Sequence, residues 1–342
     1  MRALIVSPGP EFSVADVYRG WRDGLREAGV DVHEFNLHDI IAVLSKAQME
    51  RDGELRNLFD LDGAVEVTFN LLQARLYETW PDLVILVSGF FFDHQLIERI
   101  RQTRPHKWVM IHTESPYEDD RQVGLADAVD VNVLNDPMNI DRFREVNPRT
   151  IYIPHAHDPK VHHADGRSDR FDFGFCGTGY PSRIAEFEAV DWHGARVGLG
   201  GNWQALDDGS PLVPFLQHDR AVCMPNEETA DLYRASNMSA NLYRGGNVKE
   251  AQRPELVDGW AVGPREIELA ACGTFFARQS RPEGDDLFPM LPIISGAAEL
   301  GDVLQWSMTH PDERQAAADA ARAAVQDRTF LANAERLLAE FA

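Results

Sequence analysis

Short apolar runs alternate with amphipathic stretches from the start of the chain. Arg2–Ser7 is an apolar run closed by Pro8-Gly9-Pro10. Val14, Val17, Tyr18, Trp21, Leu25 and Ala28 then recur at helical spacing, Gly29 suits a left-handed helix cap, and Val30–Leu37 reads as a second strand. That is a β-α-β unit, the building block of parallel sheets. Residues 52–79 read as one long helical stretch closed by Pro81, and Leu83–Val87 as a strand apolar on both faces. A helix over 93–103 leads to strands at Lys107–His112, Val129–Leu134 and Ile151–Ile153. After the polar stretch Asp158–Arg170 the alternation restarts. Phe171–Cys176 is a strand, Gly177-Thr178-Gly179 a tight turn, and a helix opens at Pro181. Strands follow at Ala195–Leu199, Ser239–Tyr243 and Thr274–Ala277, with a helix over Pro264–Cys272 and an Ala-rich helical end from Pro311. The pattern predicts an α/β protein with two doubly wound, Rossmann-like domains.

Length agrees: 342 residues, 44% of them apolar, suffice for two cores. No run approaches the roughly 20 apolar residues of a membrane span. The apolar run at the N-terminus is too short for a signal peptide, so a cytoplasmic protein is expected. The net charge of −22 disfavours a broad nucleic-acid surface. The three cysteines, Cys176, Cys223 and Cys272, are far apart and suggest neither a zinc site nor a disulfide framework.

The stretch from Gly263 to Gly273 carries the most chemistry. Pro264 suits the first helical position and Gly273 the cap beyond the last. The amides near Pro264 to Glu266 offer an anion site, Arg265 lies where a diphosphate would sit, and Glu268 shares its face. A carboxylate there can accept both hydroxyls of a ribose. Gly177, Thr178 and Gly179 follow a strand and open a helix, so the backbone can approach a phosphate, with Arg183 as a further contact. There is no G-x-G-x-x-G and no Walker lysine. In the first half, Asp93 and His94 follow one strand, and His112 and Glu114 end the next. All four are candidates for a base that takes a proton from an acceptor hydroxyl. Asp93 also suits a helix cap. His155, His157, His162 and His163 lie in a polar segment where contact with a substrate is a better reading than a metal. Asp60-Leu61-Asp62 is a D-x-D string in a helical stretch, and no metal site is expected.

Three segments in order resemble a known family: Asn241-Leu242-Tyr243-Arg244, the helix from Pro264 to Gly273, and Arg281-Pro282 with Leu287-Phe288. They are similar to the C-terminal half of CgeB-like glycosyltransferases, GT-B enzymes related to the group-1 glycosyltransferases. The resemblance covers about residues 170–342. It implies two Rossmann-like domains facing a cleft: residues 1–157 on the acceptor side, a linker over 158–170, and a nucleotide-sugar-binding domain over 171–325. Residues 326–342 would form a helix packing back toward the first domain. It also implies that Glu268 binds the donor ribose, that Arg265 lies at the donor site, and that Asn241 and Arg244 face the diphosphate. Trp260 stands where related retaining enzymes place a second Glu, which leaves the stereochemistry open. The expected activity is transfer of a hexosyl or pentosyl group from a nucleoside-diphosphate sugar to an acceptor hydroxyl. The nucleotide sugar is a co-substrate, and no obligatory cofactor or metal is needed. A glycan, a protein, a metabolite or a modified DNA base all fit as acceptor, and the oligomeric state is not legible. The alternatives are a sugar-nucleotide epimerase on the same fold and a non-catalytic nucleotide-sugar-binding protein.

Overall fold

The computed structural model describes residues 1–7, 14–89, 92, 94–102, 106–166, 170–243 and 259–342. They form two compact units, Met1–Pro154 with Phe330–Ala342, and His155–Thr329. The chain therefore passes between units at 154/155, with the polar stretch after His155 counted in the second, and returns at 329/330.

In the first unit the elements are β1 (Arg2–Ser7), α1 (Ala15–Glu27), β2 (Asp31–Asn36), α2 (Leu37–Lys46), β3 (Gln48–Arg51), β4 (Glu54–Asn57), α3 (Leu61–Thr79) and β5 (Leu83–Val87). They continue with α4 (His94–Arg101), β6 (Lys107–His112), α5 (Asp119–Gln122), a 3₁₀ segment (Val123–Ala128), β7 (Val131–Leu134), α6 (Ile140–Val146) and β8 (Thr150–Tyr152). Six parallel strands stand in the order β2-β1-β5-β6-β7-β8. Alternate residues of one strand face opposite layers, as a sheet covered on both sides requires. Leu4, Val6, Leu86 and Met110 pack with Phe69 and Leu72 of α3 and Ile97 of α4. Ala3, Ile5, Ile85 and Val109 pack with Trp21 and Leu25 of α1. The stretch 52–79 is not one helix. Asp52 and Gly53, both at positive φ (57° and 81°), turn β3 into β4 as an exposed antiparallel hairpin. An Asp-Gly pair favours this turn. Helix α3 begins only after Asp60, whose carboxylate accepts from the Gly63 amide at 2.8 Å. The first aspartate of the D-x-D string is thus a helix cap.

The second unit contains β9 (Phe171–Cys176), α7 (Pro181–Glu188), β10 (Val197–Gly200), α8 (Asn226–Arg234), β11 (Ser236–Asn241), α9 (Pro264–Cys272) and β12 (Phe275–Arg278). The short helix α10 (Pro282–Leu287), α11 (Ala297–Thr309) and α12 (Pro311–Ala324) follow. The last helix, α13 (Phe330–Ala339), belongs to the first unit, where its Ala334 and Leu337 join Trp21 and Leu25 in the core. Four parallel strands stand in the order β10-β9-β11-β12. Helix α9 starts at Pro264 and stops at Gly273, which is left-handed at φ 74°. The strand order reverses between β9 and β11. In an open α/β sheet that switch point, beyond the C-terminal strand ends, is where ligands bind.

Candidate donor site

Cys176 ends β9 and Asn241 ends β11, side by side at the switch point. Arg265, in the first turn of α9, spans the two. Its Nε donates to the Cys176 carbonyl oxygen at 3.0 Å and its Nη1 to Asn241 Oδ1 at 2.9 Å. The guanidinium lies over the Phe175 ring, 4.7 Å from its centroid. It is half-buried and held in one place, so a ligand meets a positioned cation. Asn241 Nδ2 is buried and has no partner among the described residues. One turn along α9, Glu268 is half-buried, and its carboxylate has no hydrogen bond or ion pair among the described residues. Arg265, Asn241 and Glu268 therefore come together as a cation, an amide and an open carboxylate. Arg244 lies outside the described residues.

The turn after β9 serves packing. The Gly177 amide donates to the Gly200 carbonyl at 3.0 Å and the Gly179 amide to Asn202 at 2.8 Å, so neither is left for a phosphate. A side chain at Gly177 would meet the Arg265 guanidinium at 2.5 Å, and one at Gly179 the Trp203 ring at 2.4 Å. Glycine is required at both because other groups approach so closely. Thr178 is exposed at the turn's tip. Arg183 departs from expectation. It is buried, and its Nη1 and Nη2 donate to the carbonyls of Thr178 (2.6 Å) and Leu242 (2.8 Å). It ties the turn to the end of β11 instead of reaching a diphosphate.

The start of α9 is a weaker anion cradle than its sequence suggests. Pro264 has no N–H, and the Gly263 amide donates to Glu266 Oε2 at 2.8 Å. The Glu266 amide is 3.1 Å from the Gly263 carbonyl. With these amides engaged, the Arg265 side chain is better placed than the helix terminus to meet an anion. Glu266 itself is fully buried, accepts a second hydrogen bond from the Tyr243 hydroxyl, and has its carboxyl pushed up by burial. The capping-box spacing from Gly263 to Glu266 was the signal that could have singled it out.

In the first unit, His112 is fully buried in β6. Its Nδ1 is 3.1 Å from Gln122 Oε1 and its Nε2 2.9 Å from Asn132 Oδ1, and burial holds its pKa below the usual histidine value. Enclosed on both edges, it is a core residue and not a base facing substrate. His94 opens α4 and pairs with Asp127 at 3.2 Å on the surface. Glu114 lies half-buried in the turn after β6, where its carbonyl caps Tyr117 and Glu118. Asp93 lies outside the described residues. A residue the sequence did not single out is Asp119. It is buried, accepts from Ser115 Oγ (3.0 Å) and Asn139 Nδ2 (2.9 Å), and is pushed up to about 6 by burial. Its place between two other acidic residues gave no sequence signal.

Of the histidines after Pro154, His155 and His157 are each lowered to about 4, chiefly by burial. His162 Nε2 is 3.2 Å from Asn226 Oδ1. Among the described residues no group of three or more His, Cys, Asp or Glu side chains could hold a metal ion. Nor does any helix among them have the length and apolarity to cross a membrane. A cavity of about 370 Å³ lies at the opposite end of α9, against Cys272 and Gly273 and under Arg234, Arg314 and Arg322. Arg234 is paired there with Asp165 and Asp231, and Arg322 with Asp319.

Residues 183–339 match the family model described as glycosyl transferase-like. No curated protein matches the chain in sequence. Among solved structures, sucrose-phosphate synthase from Thermosynechococcus elongatus superposes with a TM-score of 0.67 at 14% identity, over 100% of this chain and 98% of that one. Anabaena Alr3699/HepE, solved in complex with UDP and glucose, gives 0.59 at 12%, over 100% and 99%. A glycosyltransferase from Rickettsia africae gives 0.60 at 12%, over 99% and 97%. The chain thus has the GT-B glycosyltransferase fold, with two Rossmann-like domains, and its residues 183–339 are similar to glycosyl transferase-like domains.

Proposed function

We propose that this protein is a glycosyltransferase that takes a sugar from a nucleoside-diphosphate donor and moves it to an acceptor hydroxyl. The observation that carries the reading is Arg265. It is fixed across β9 and β11 at the switch point, with the open carboxylate of Glu268 one turn further along the same helix. Glu268 accepts from ribose hydroxyls. Arg265, with Asn241 Nδ2 beside it, stabilises charge on the departing diphosphate, which is greatest in the transition state. The first unit holds the acceptor and the group that takes its proton, with His94 and Glu114 as the described candidates. Within the GT-B enzymes the three sequence segments support a CgeB-like subtype. No obligatory cofactor or cation is required. Three free cysteines, one of them exposed, favour a reducing compartment such as the cytoplasm.

Thermal melts with UDP, ADP, GDP, TDP and NAD test the reading. A nucleoside diphosphate at 100 times its Kd should add about 2.7 kcal/mol. Stabilisation by NAD alone would overturn it. Product analysis then separates the classes. A transferase releases nucleoside diphosphate in proportion to glycosylated acceptor (or, without acceptor, slowly with free sugar of the donor's sugar type), an epimerase releases a sugar epimerised at a ring carbon without acceptor, and a binding protein turns over nothing.

A further inference from the structure

Helix α9 carries the two residues on which the donor site depends, yet the five residues before it have no regular structure. Each is held. A side chain at Gly259 would meet Arg281 Nη1 at 2.3 Å, so the guanidinium lies directly on that backbone. The Trp260 carbonyl accepts from the Glu283 amide at 3.0 Å. The Ala261 carbonyl accepts from Arg281 Nη1 at 2.9 Å. The Val262 amide donates to Glu283 Oε2 at 2.8 Å. The Gly263 amide donates to Glu266 Oε2 at 2.8 Å.

The three side chains that grip this segment are all charged and more than nine-tenths buried: Arg281 (7% exposed), Glu283 (5%) and Glu266 (0%). They are also anchored at their far sides. Glu283 Oε1 pairs with Arg328 Nη1 at 2.7 Å. Arg281 lies over the Tyr243 ring, 3.7 Å from its centroid, and the Tyr243 hydroxyl donates to Glu266. The segment is therefore tied to the stretch just after β11, to the N-cap and first turn of α10 and to the segment after α12. Buried ionic groups are an expensive way to gain stability, because well-packed apolar residues do as well or better. What they provide is a fixed direction for each hydrogen bond.

We propose that Arg281, Glu283 and Glu266 act as a clamp that sets the register and tilt with which the chain enters α9, so that Arg265 and Glu268 meet the donor in one geometry. They are positioning residues, not residues that touch the substrate. The inference rests on the nucleotide-sugar reading of the Arg265–Glu268 site. An error of about 1 Å in such a site is enough to lower turnover about a hundredfold. The clamp therefore acts on donor affinity and turnover, while the acceptor KM is untouched.

The test uses the full chain and whichever of UDP, ADP, GDP and TDP wild type binds. Glu283→Ala, Glu266→Ala, Glu266→Gln and Tyr243→Phe are compared for nucleotide Kd, for donor and acceptor KM and kcat, and for amide exchange over 261–266. Both alanine variants should weaken nucleotide binding at least tenfold and speed exchange at Val262, Gly263 and Arg265, with acceptor KM within twofold. Glu266→Gln keeps an oxygen acceptor and should recover most of the affinity. Tyr243→Phe keeps the ring under Arg281 and should weaken binding only severalfold. Should the alanine variants fail to fold, the Gln and Phe variants decide by the same order of affinities. Folded variants that bind nucleotide within twofold of wild type, in the same order of stability but with unchanged kinetics, would overturn the clamp alone. Wild type that binds none of the four nucleotides would overturn the donor-site reading and the clamp with it.

Discussion

Arg265 and Glu268 differ in how firmly the protein holds them, and that difference predicts how their variants behave. Arg265 is already bonded to Cys176 and Asn241, so its removal frees two buried acceptors as well as the ligand's cation. Glu268 has no such partners among the described residues. Its replacement by alanine should leave stability nearly unchanged and remove only contacts to the donor. Hydrogen bonds to a charged group contribute about 1.5–3 kcal/mol, so donor KM should rise about ten- to a hundredfold with little change in kcat. Arg265→Ala should lower kcat as well as raise KM, and should also lower Tm. Steady-state kinetics with varied donor decide, and a Glu268→Ala donor KM within twofold of wild type would refute the ribose assignment. The placement of these two residues on one capped helix was legible because proline, arginine, glutamate and glycine occur at fixed helical offsets in a row. Arg183 and His112 were not. From the sequence Arg183 looks like a phosphate contact in the first turn of a helix and His112 like a base at the end of a strand, and only the fold shows Arg183 meeting two carbonyls and His112 enclosed by Gln122 and Asn132. Distant backbone partners leave no trace in local spacing.

Elements were legible where burial imposes a period. The all-buried strand β5 and the capped helix α9 have the limits their patterns imply. The β3–β4 hairpin was missed because all eight of its positions are exposed and it buries nothing that would impose an alternation. The only local signal was Asp52-Gly53. The particular contact between α1 and α13 left no trace in local spacing, since it joins the two ends of the chain; the family resemblance alone implied a last helix packing back toward the first domain. Gly20 faces the Phe330 ring, and a side chain there would meet it at 2.2 Å. A side chain at Gly24 would meet the Phe330 carbonyl oxygen at 2.5 Å. The ring can rotate away and the carbonyl cannot. Gly24→Ala should therefore destabilise the first unit by about 1–3 kcal/mol, the usual range for overpacking, despite alanine's better helix propensity. Gly20→Ala should cost less, and Gly20→Ala with Phe330→Leu less again. Denaturant unfolding of the three proteins checks the order. A stabilised Gly24→Ala would show that α13 does not pack against α1 in solution.

At the scale of the whole molecule, the two units carry buried titrating groups of opposite sign. In the first, Asp119 is pushed from 3.8 to about 6, so its folded form keeps a proton that the unfolded chain releases. Its contribution to stability is fully present below about pH 4 and is lost as pH rises through about 6, about 3 kcal/mol at most. The groups around it are Ser115, Asn139, Asp136 and Arg142. In the second unit, His157 is lowered from 6.5 to about 4, so it stays neutral while the unfolded chain takes up a proton. Its contribution is present above about pH 6.5 and is lost as pH falls through about 4, again about 3 kcal/mol at most. His162 and Asp158 are its titrating neighbours. Two variants isolate these effects from every other group. Relative to wild type, Asp119→Asn should gain stability as pH rises from 4 to 7, and His157→Gln should gain as pH falls from 7 to 4. With separate cores on either side of the 154/155 and 329/330 crossings, each variant should move a different transition in calorimetry. If both variants move the same transition, the two units unfold as one. If neither shows a pH-dependent difference, both groups titrate as they do in the unfolded chain.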